Sequence, residues 1–128
     1  MAWLPLGLMA ETVSATDSRI TFVGRAIENN GSLTFDFPAT YFRVAFTGKS
    51  LSMRVTDTKR DFYAVWIDCP TSVEPTRVVE VKGSDTIVQL VLPGDLKISK
   101  KKEHQVVVQK RTEAGCGKTT VYEFITDG

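Results

Sequence analysis

Three groups of residues have types and spacing that chemistry could use. The segment Gly115-Cys116-Gly117-Lys118-Thr119-Thr120 ends like a phosphate-binding loop. In such a loop, glycines let backbone amides wrap a phosphate and hand it to a helix N-terminus. Here the position five before Gly117 is Thr112, and the chain continues into Val121-Tyr122-Glu123-Phe124-Ile125, a strand pattern with no helix dipole to offer. The segment reads as a Gly-rich hairpin turn. His104 is the single histidine, and a serine or cysteine nucleophile needs such a base, itself oriented by a carboxylate. No Gly-x-Ser-x-Gly elbow, Gly-Asp-Ser block or Asp-x-His pair accompanies it. Cys69 and Cys116 with one histidine make a poor zinc set, which wants about four clustered ligands. Whether the two cysteines pair stays open, because sequence does not place their Cα atoms. No metal or other cofactor is expected.

The third group is aromatic. In Phe62–Cys69 one parity carries Tyr63, Val65, Ile67 and Cys69, a core face, and the other carries Phe62, Ala64, Trp66 and Asp68. With the first set inward, Phe62 and Trp66 stand on the outer face of a sheet. An outward aromatic pair beside a carboxylate suits sugar stacking or domain docking. Tyr41 and Arg43, opposite Phe42-Val44-Phe46, are weaker candidates for the same surface. Asp68 is the one carboxylate read in an apolar setting, and at the end of Val65-Trp66-Ile67 its commoner role is to cap a turn.

The elements that must position these residues alternate with period two. Ile20–Val23 opens the series, and Asn30-Gly31 marks a tight reversal. Then come Leu33–Phe37, stopped by Pro38, Phe42–Phe46, and Leu51–Val55 after a turn at Lys49-Ser50. Phe62–Cys69 is closed by Pro70. Val78–Val81, Ile87–Leu92, Gln105–Gln109 and Val121–Ile125 complete about nine strands separated by turn residues. No window without Gly or Pro offers helical spacing. The expected fold is an all-β antiparallel sandwich or jelly roll over residues 19–128.

Size and charge narrow the function. A chain of 128 residues makes one domain with one core. Sixteen basic against fifteen acidic side chains, net +1, argue against nucleic acid as a partner. The local excess at Lys97, Lys100, Lys101 and Lys102 reads as a solvated loop. Nothing approaches the ~18 apolar residues that cross a bilayer, so no membrane partner is expected. Residues 1–18 are expected to be an arm or the remnant of a signal segment: Met1–Ala10 is apolar, with a small residue before a plausible cut, but lacks a basic start. An extracellular or periplasmic location is the corresponding expectation. Asn30-Gly31-Ser32 matches a glycosylation acceptor, which its turn chemistry explains equally well.

The order of these motifs resembles the N-terminal jelly-roll domain of carbohydrate esterase family 2. The matching pieces are Ile20–Arg25, Phe35–Thr40, Phe46–Leu51, Val65–Asp68 and His104–Glu113. Pro38-Ala39-Thr40 stands where Pro-Gly-Ser is usual, and Cys69-Pro70 comes after Asp68 where a glycine is usual. The resemblance implies an accessory domain of a secreted acetyl-xylan-type esterase, docking in cis on an SGNH hydrolase domain that supplies the serine and the Asp-x-x-His pair. Those catalytic residues have no counterparts in this chain, which by itself is expected to hydrolyse no acetylated sugar. The alternative is an independent carbohydrate-binding module using the outward aromatic face, and a blander one is a sandwich that mediates protein contacts. Trp66, Phe62, Asp68, Tyr41 and Arg43 are the residues to which sugar binding or docking is assigned, with a polysaccharide as possible partner.

Overall fold

A computed structural model describes residues 11–96, 103–112 and 114–127. Met1–Ala10 and the lysines at 97 and 100–102 lie outside the described residues. Eleven strands form: β1 (Glu11–Ser14), β2 (Ile20–Val23), β3 (Ile27–Asn29), β4 (Ser32–Phe35), β5 (Tyr41–Phe46) and β6 (Ser50–Asp57), then β7 (Arg60–Ile67), β8 (Arg77–Lys82), β9 (Thr86–Val91), β10 (His104–Lys110) and β11 (Thr119–Asp127). Two single 3₁₀ turns, Pro93–Leu96 and Ala114–Cys116, are the only helical pieces among the described residues.

The strands make two antiparallel sheets. One runs β2-β5-β10-β7-β8. The other runs β3-β4-β11-β6-β9, with β1 on the same edge of β11 as β4, further along. β3–β4 and β7–β8 are hairpins within a sheet; every other connection crosses to the opposite sheet, as in a jelly roll. Each strand therefore buries one parity between the sheets and leaves the other outside. In β6 the buried set is Leu51, Met53, Val55 and Asp57. At the centre, Phe42 lies 4.9 Å from Phe22 and 5.2 Å from Phe124, ring centroid to centroid, in tilted and edge-on pairs.

Two strands go beyond the nine expected. Glu11–Ser14 falls within the segment taken as an N-terminal arm, because Thr12 and Ser14 are polar. It pairs with Glu123–Thr126 and buries Val13, and Ala15 just after it is buried too. Ile27–Asn29 is exposed on all three residues, so no buried face advertised it. It is held by the reversal at Asn30 (φ 51°) and Gly31 (φ 89°), the paired positive angles that an Asn-Gly hairpin turn requires. The turn expected at Lys49-Ser50 sits one residue earlier, since Ser50 already belongs to β6.

Candidate functional site

The outer face of the five-stranded sheet gathers the residues singled out above. Register places Val23, Tyr41, Gln109, Ala64 and Val78 in one row across the sheet, and Thr21, Arg43, Val107 and Trp66 in the next but one. Tyr41, Arg43 and Trp66 thus share a face, with Phe62 further along β7 opposite Glu80. Val23 and Val78 are each 43% exposed, and Arg43 is exposed with no ion pair among the described residues. The opposite outer face is different in kind. There Arg54 bonds Asp85 and Glu123 and stacks over Tyr122, and Thr34 shares a hydroxyl bond with Thr120. That face pairs its charges around Arg54, with Ile87 exposed beside them; on the five-stranded one the ion pairs gather at Arg60, Glu80 and Lys82, away from Arg43.

The aromatic pair is less open than alternation alone suggests. Trp66 points outward, yet it is 7% exposed, because the segment after β7 folds back and Val73 O accepts its indole N–H at 2.9 Å. Phe62 is half-buried with the Arg60 guanidinium 5.0 Å above its ring. Asp68 takes φ 55° and caps the strand end: Oδ1 accepts Gln105 N–H at 2.9 Å and Oδ2 bonds His104 Nδ1 at 2.7 Å. Its carboxylate is therefore engaged within the fold. His104 is buried against Phe46, and among the described residues its ring bonds Asp68 and no serine. Both cysteines are free thiols.

A buried polar cluster, which the sequence reading missed, lies between the sheets at one end. Asp61 and Lys110 pair at 3.0 Å with both side chains at 0% exposure. Thr112 binds both, its hydroxyl to Asp61 and its carbonyl to Lys110 Nζ at 2.8 Å. Tyr63 donates to Thr119 Oγ1 at 2.7 Å, and Thr119 donates to Asp57 Oδ2 at 2.7 Å. The reading that only Asp68 among the carboxylates has an apolar setting is thereby corrected. Parity carried the signal: Asp57 continues Leu51-Met53-Val55, Asp61 precedes Tyr63-Val65, and Lys110 continues Val106-Val108. With these side chains sealed from solvent, the pair is structural.

Its two carboxyls titrate apart. Burial first, then the hydrogen bond to Asp61, pushes Asp57 up to about 6. Burial also opposes ionisation of Asp61, but Asp57, Thr112 and Lys110 outweigh it and hold Asp61 below the usual range. An unfolded Asp57 ionises near pH 3.8. Between about pH 4 and 6 the folded state therefore keeps a proton that the unfolded state has lost, and stability falls as pH rises through that window. Asp57→Asn, which mimics the protonated form, should flatten the decline in thermal midpoint between pH 4 and 6.5. A wild-type midpoint that falls across that interval no more steeply than the variant's contradicts the assignment.

The Gly115–Thr120 segment is not the hairpin turn expected: it runs from the 3₁₀ turn Ala114–Cys116 into β11 and joins β10 to β11 across the two sheets, with Lys118 N–H donating to Thr58 Oγ1 at 2.9 Å. A concavity lies at the mouth of the loops after β2 and β4. Two adjacent depressions of about 260 and 350 Å³ share Arg25 and Phe37. Phe37 is 51% and Ile27 73% exposed there.

Fold and surfaces together define a small jelly-roll sandwich with a mixed outer face on its five-stranded sheet and a loop-end groove, and with no catalytic centre among the described residues. The sequence profile described as carbohydrate esterase 2 N-terminal matches residues 22–128, so the chain belongs to that domain family. Among solved structures it is similar to a family two carbohydrate esterase from Cellvibrio japonicus (TM-score 0.78, 23% identity), covering 93% of this chain and 33% of that one. An acetyl xylan esterase from the rumen bacterium Butyrivibrio proteoclasticus is similar at TM-score 0.71 and 14% identity, covering 94% of this chain and 32% of that one. A carbohydrate-binding module, CBM36 in complex with calcium and xylotriose, is similar at TM-score 0.61 and 11% identity, covering 89% of this chain and 97% of that one. None of the curated proteins matches. The chain thus spans about a third of the length of the esterases it resembles.

Proposed function

We infer that this domain is a non-catalytic accessory unit of a secreted carbohydrate esterase of the acetyl-xylan type. It docks in cis on an SGNH-type hydrolase domain and helps bring acetylated polysaccharide to it. The observation that carries this reading is the family match over 22–128, joined to a structural overlap that takes in most of this chain but a third of the esterases. The unpaired outer face around Arg43, Val107 and Tyr41 supplies the docking surface. It combines exposed valines with few competing ion pairs, the composition of an interface core and rim. The alternative of an independent module that stacks sugars on the outward aromatic face is weakened by the covered Trp66 and the capped Phe62.

The test is to mix the chain with a separately expressed hydrolase domain from a family two carbohydrate esterase and measure association by sedimentation. Arg43→Glu with Val107→Lys should weaken binding at least about tenfold, since a desolvated central pair of contacts is lost. Association that ignores both substitutions would place docking elsewhere and remove this reading of the face.

A further inference from the structure

Resting on that reading, we propose that the loop-end groove around Phe37, and not the aromatic face of β7, is where this domain holds a β-1,4-linked pyranose chain. The two depressions meet at Phe37 and Arg25. The smaller lies near, and the larger within, the lower part of the ~300–1,000 Å³ range of small-molecule sites. An apolar floor with a few convergent polar groups is the usual make-up of such sites. Here the apolar part is Val23, Ile27 and Phe37, at 43%, 73% and 51% exposure. The polar part is Arg25, Asp36 and Lys118. Neither cation is held in an ion pair among the described residues, so both are available to a ligand.

The chemistry fits a pyranose. A β-linked ring presents a flat face of C–H groups and a rim of equatorial hydroxyls. The open ring of Phe37 takes the first; the guanidinium fork of Arg25, the Lys118 ammonium and the Asp36 carboxylate take the second. Two adjacent depressions that share Phe37 and Arg25 suit a run of linked sugars better than a single small molecule.

The groove is also built in advance. Pro38 restricts Phe37 to extended backbone. The loop behind it is bonded to β10: Ala39 N–H reaches Lys110 O at 3.0 Å, and Lys110 N–H reaches Thr40 O at 2.9 Å. Gly24, at φ 140°, lets the opposite loop approach so closely that a Cβ there would lie 2.8 Å from Thr40 Cγ2. A ligand entering this groove orders little of the protein, which is what affinity for a flexible polysaccharide needs.

The experiment titrates the full chain with xylohexaose and with cellohexaose, using maltohexaose as the α-linked comparison, by calorimetry and by chemical-shift mapping. Saturable binding of a β-1,4 hexasaccharide is expected, weakened at least about tenfold by Phe37→Ala. Arg25→Ala should also weaken it, and Ile87→Ala on the far outer face should leave it unchanged. Phe37 is half exposed, so its variant keeps the fold, which the thermal midpoint verifies. Absence of saturable binding to either β-1,4 ligand, or binding that survives both Phe37→Ala and Arg25→Ala, overturns the inference. Either outcome is separable from docking: the chain then still associates with a hydrolase domain through Arg43 and Val107. Sugar binding without that association removes the docking reading instead.

Discussion

Replacing Lys110 with methionine is expected to cost about 3–5 kcal/mol, a drop of about 10–20 °C in thermal midpoint for a domain of this size. The reason is what it strands. Asp61 has no exposed surface, and Lys110 Nζ is its one cationic partner among the described residues, at 3.0 Å. Without it a buried carboxylate faces the carboxyl of Asp57, with the Thr112 hydroxyl as its remaining side-chain donor beside that carboxyl. The cost of an unpaired buried charge exceeds the net worth of the pair, so a second substitution should recover much of the loss. Asp61→Asn in the Lys110→Met background keeps an oxygen for the Thr112 hydroxyl and removes the charge. Denaturant unfolding of both single variants and the double variant forms the cycle. Losses that simply add would show that the two groups do not depend on each other, and would return the cluster to ordinary packing.

Gly117→Ala is the second large effect, at about 2–5 kcal/mol. Gly117 takes φ 143°, a region that side chains rarely adopt. A Cβ there would press directly into Asp57 Oδ1, and would lie 3.1 Å from Asp61 Oδ2 and 3.2 Å from Lys59 N. Asp57 Oδ1 has no room to retreat, because it accepts Lys59 N–H at 2.9 Å while Oδ2 accepts Thr119 at 2.7 Å. Backbone strain of about 1–3 kcal/mol adds to overpacking of similar size. Gly83 and Gly115 are the comparisons. Gly83 has φ 75° but nothing within 4 Å, so Gly83→Ala isolates the backbone term at about 1–2 kcal/mol. Gly115→Ala meets nothing and should stay within about 0.5 kcal/mol. Equal midpoints for the alanine variants at 117 and 83 would show that the carboxyl pair does not press on this turn.

Both predictions come from residues that looked unremarkable in the sequence. Gly117 belonged to an apparent phosphate-loop ending, rejected because Thr112 and the strand after Thr120 do not fit one. Its real constraint is the turn between β6 and β7, which meets it only in the folded molecule. Thr58 N–H bonds Lys118 O at 3.0 Å across that junction. Lys110, Asp61 and Asp57 were visible in principle, since each keeps the parity of an apolar row. Their pairing was not, because β10 meets β7 across many residues of intervening chain, and register is set when strands dock.

The candidate surfaces divide the same way. Alternation correctly sends Trp66, Phe62, Tyr41 and Arg43 to an outer face, and register then brings β5, β7 and β10 together so that they share it. Alternation says nothing of what lies above a face. The return of residues 68–76 over Trp66, fixed by Val73 O, and the Arg60 guanidinium over Phe62 are matters of loop path and rotamer. The groove escaped notice for a related reason. Val23, Arg25, Ile27 and Phe37 sit near turns, where no periodicity applies, and the two crossover loops after β2 and β4 must approach before they form a concavity.

What residue order alone determined was local: period-two burial, the Asn30-Gly31 reversal, the stops at Pro38 and Pro70, and so an all-β sandwich with one dominant inner face per strand. These depend on each residue and its near neighbours, through sterics and hydrophobic alternation, which is why they can be read in a line of letters. Tertiary structure decided which strands became neighbours, which charges were sealed between them, and which aromatic ring stayed open. Those outcomes depend on distances between segments far apart in the chain, and such distances exist once the sheets have closed on each other.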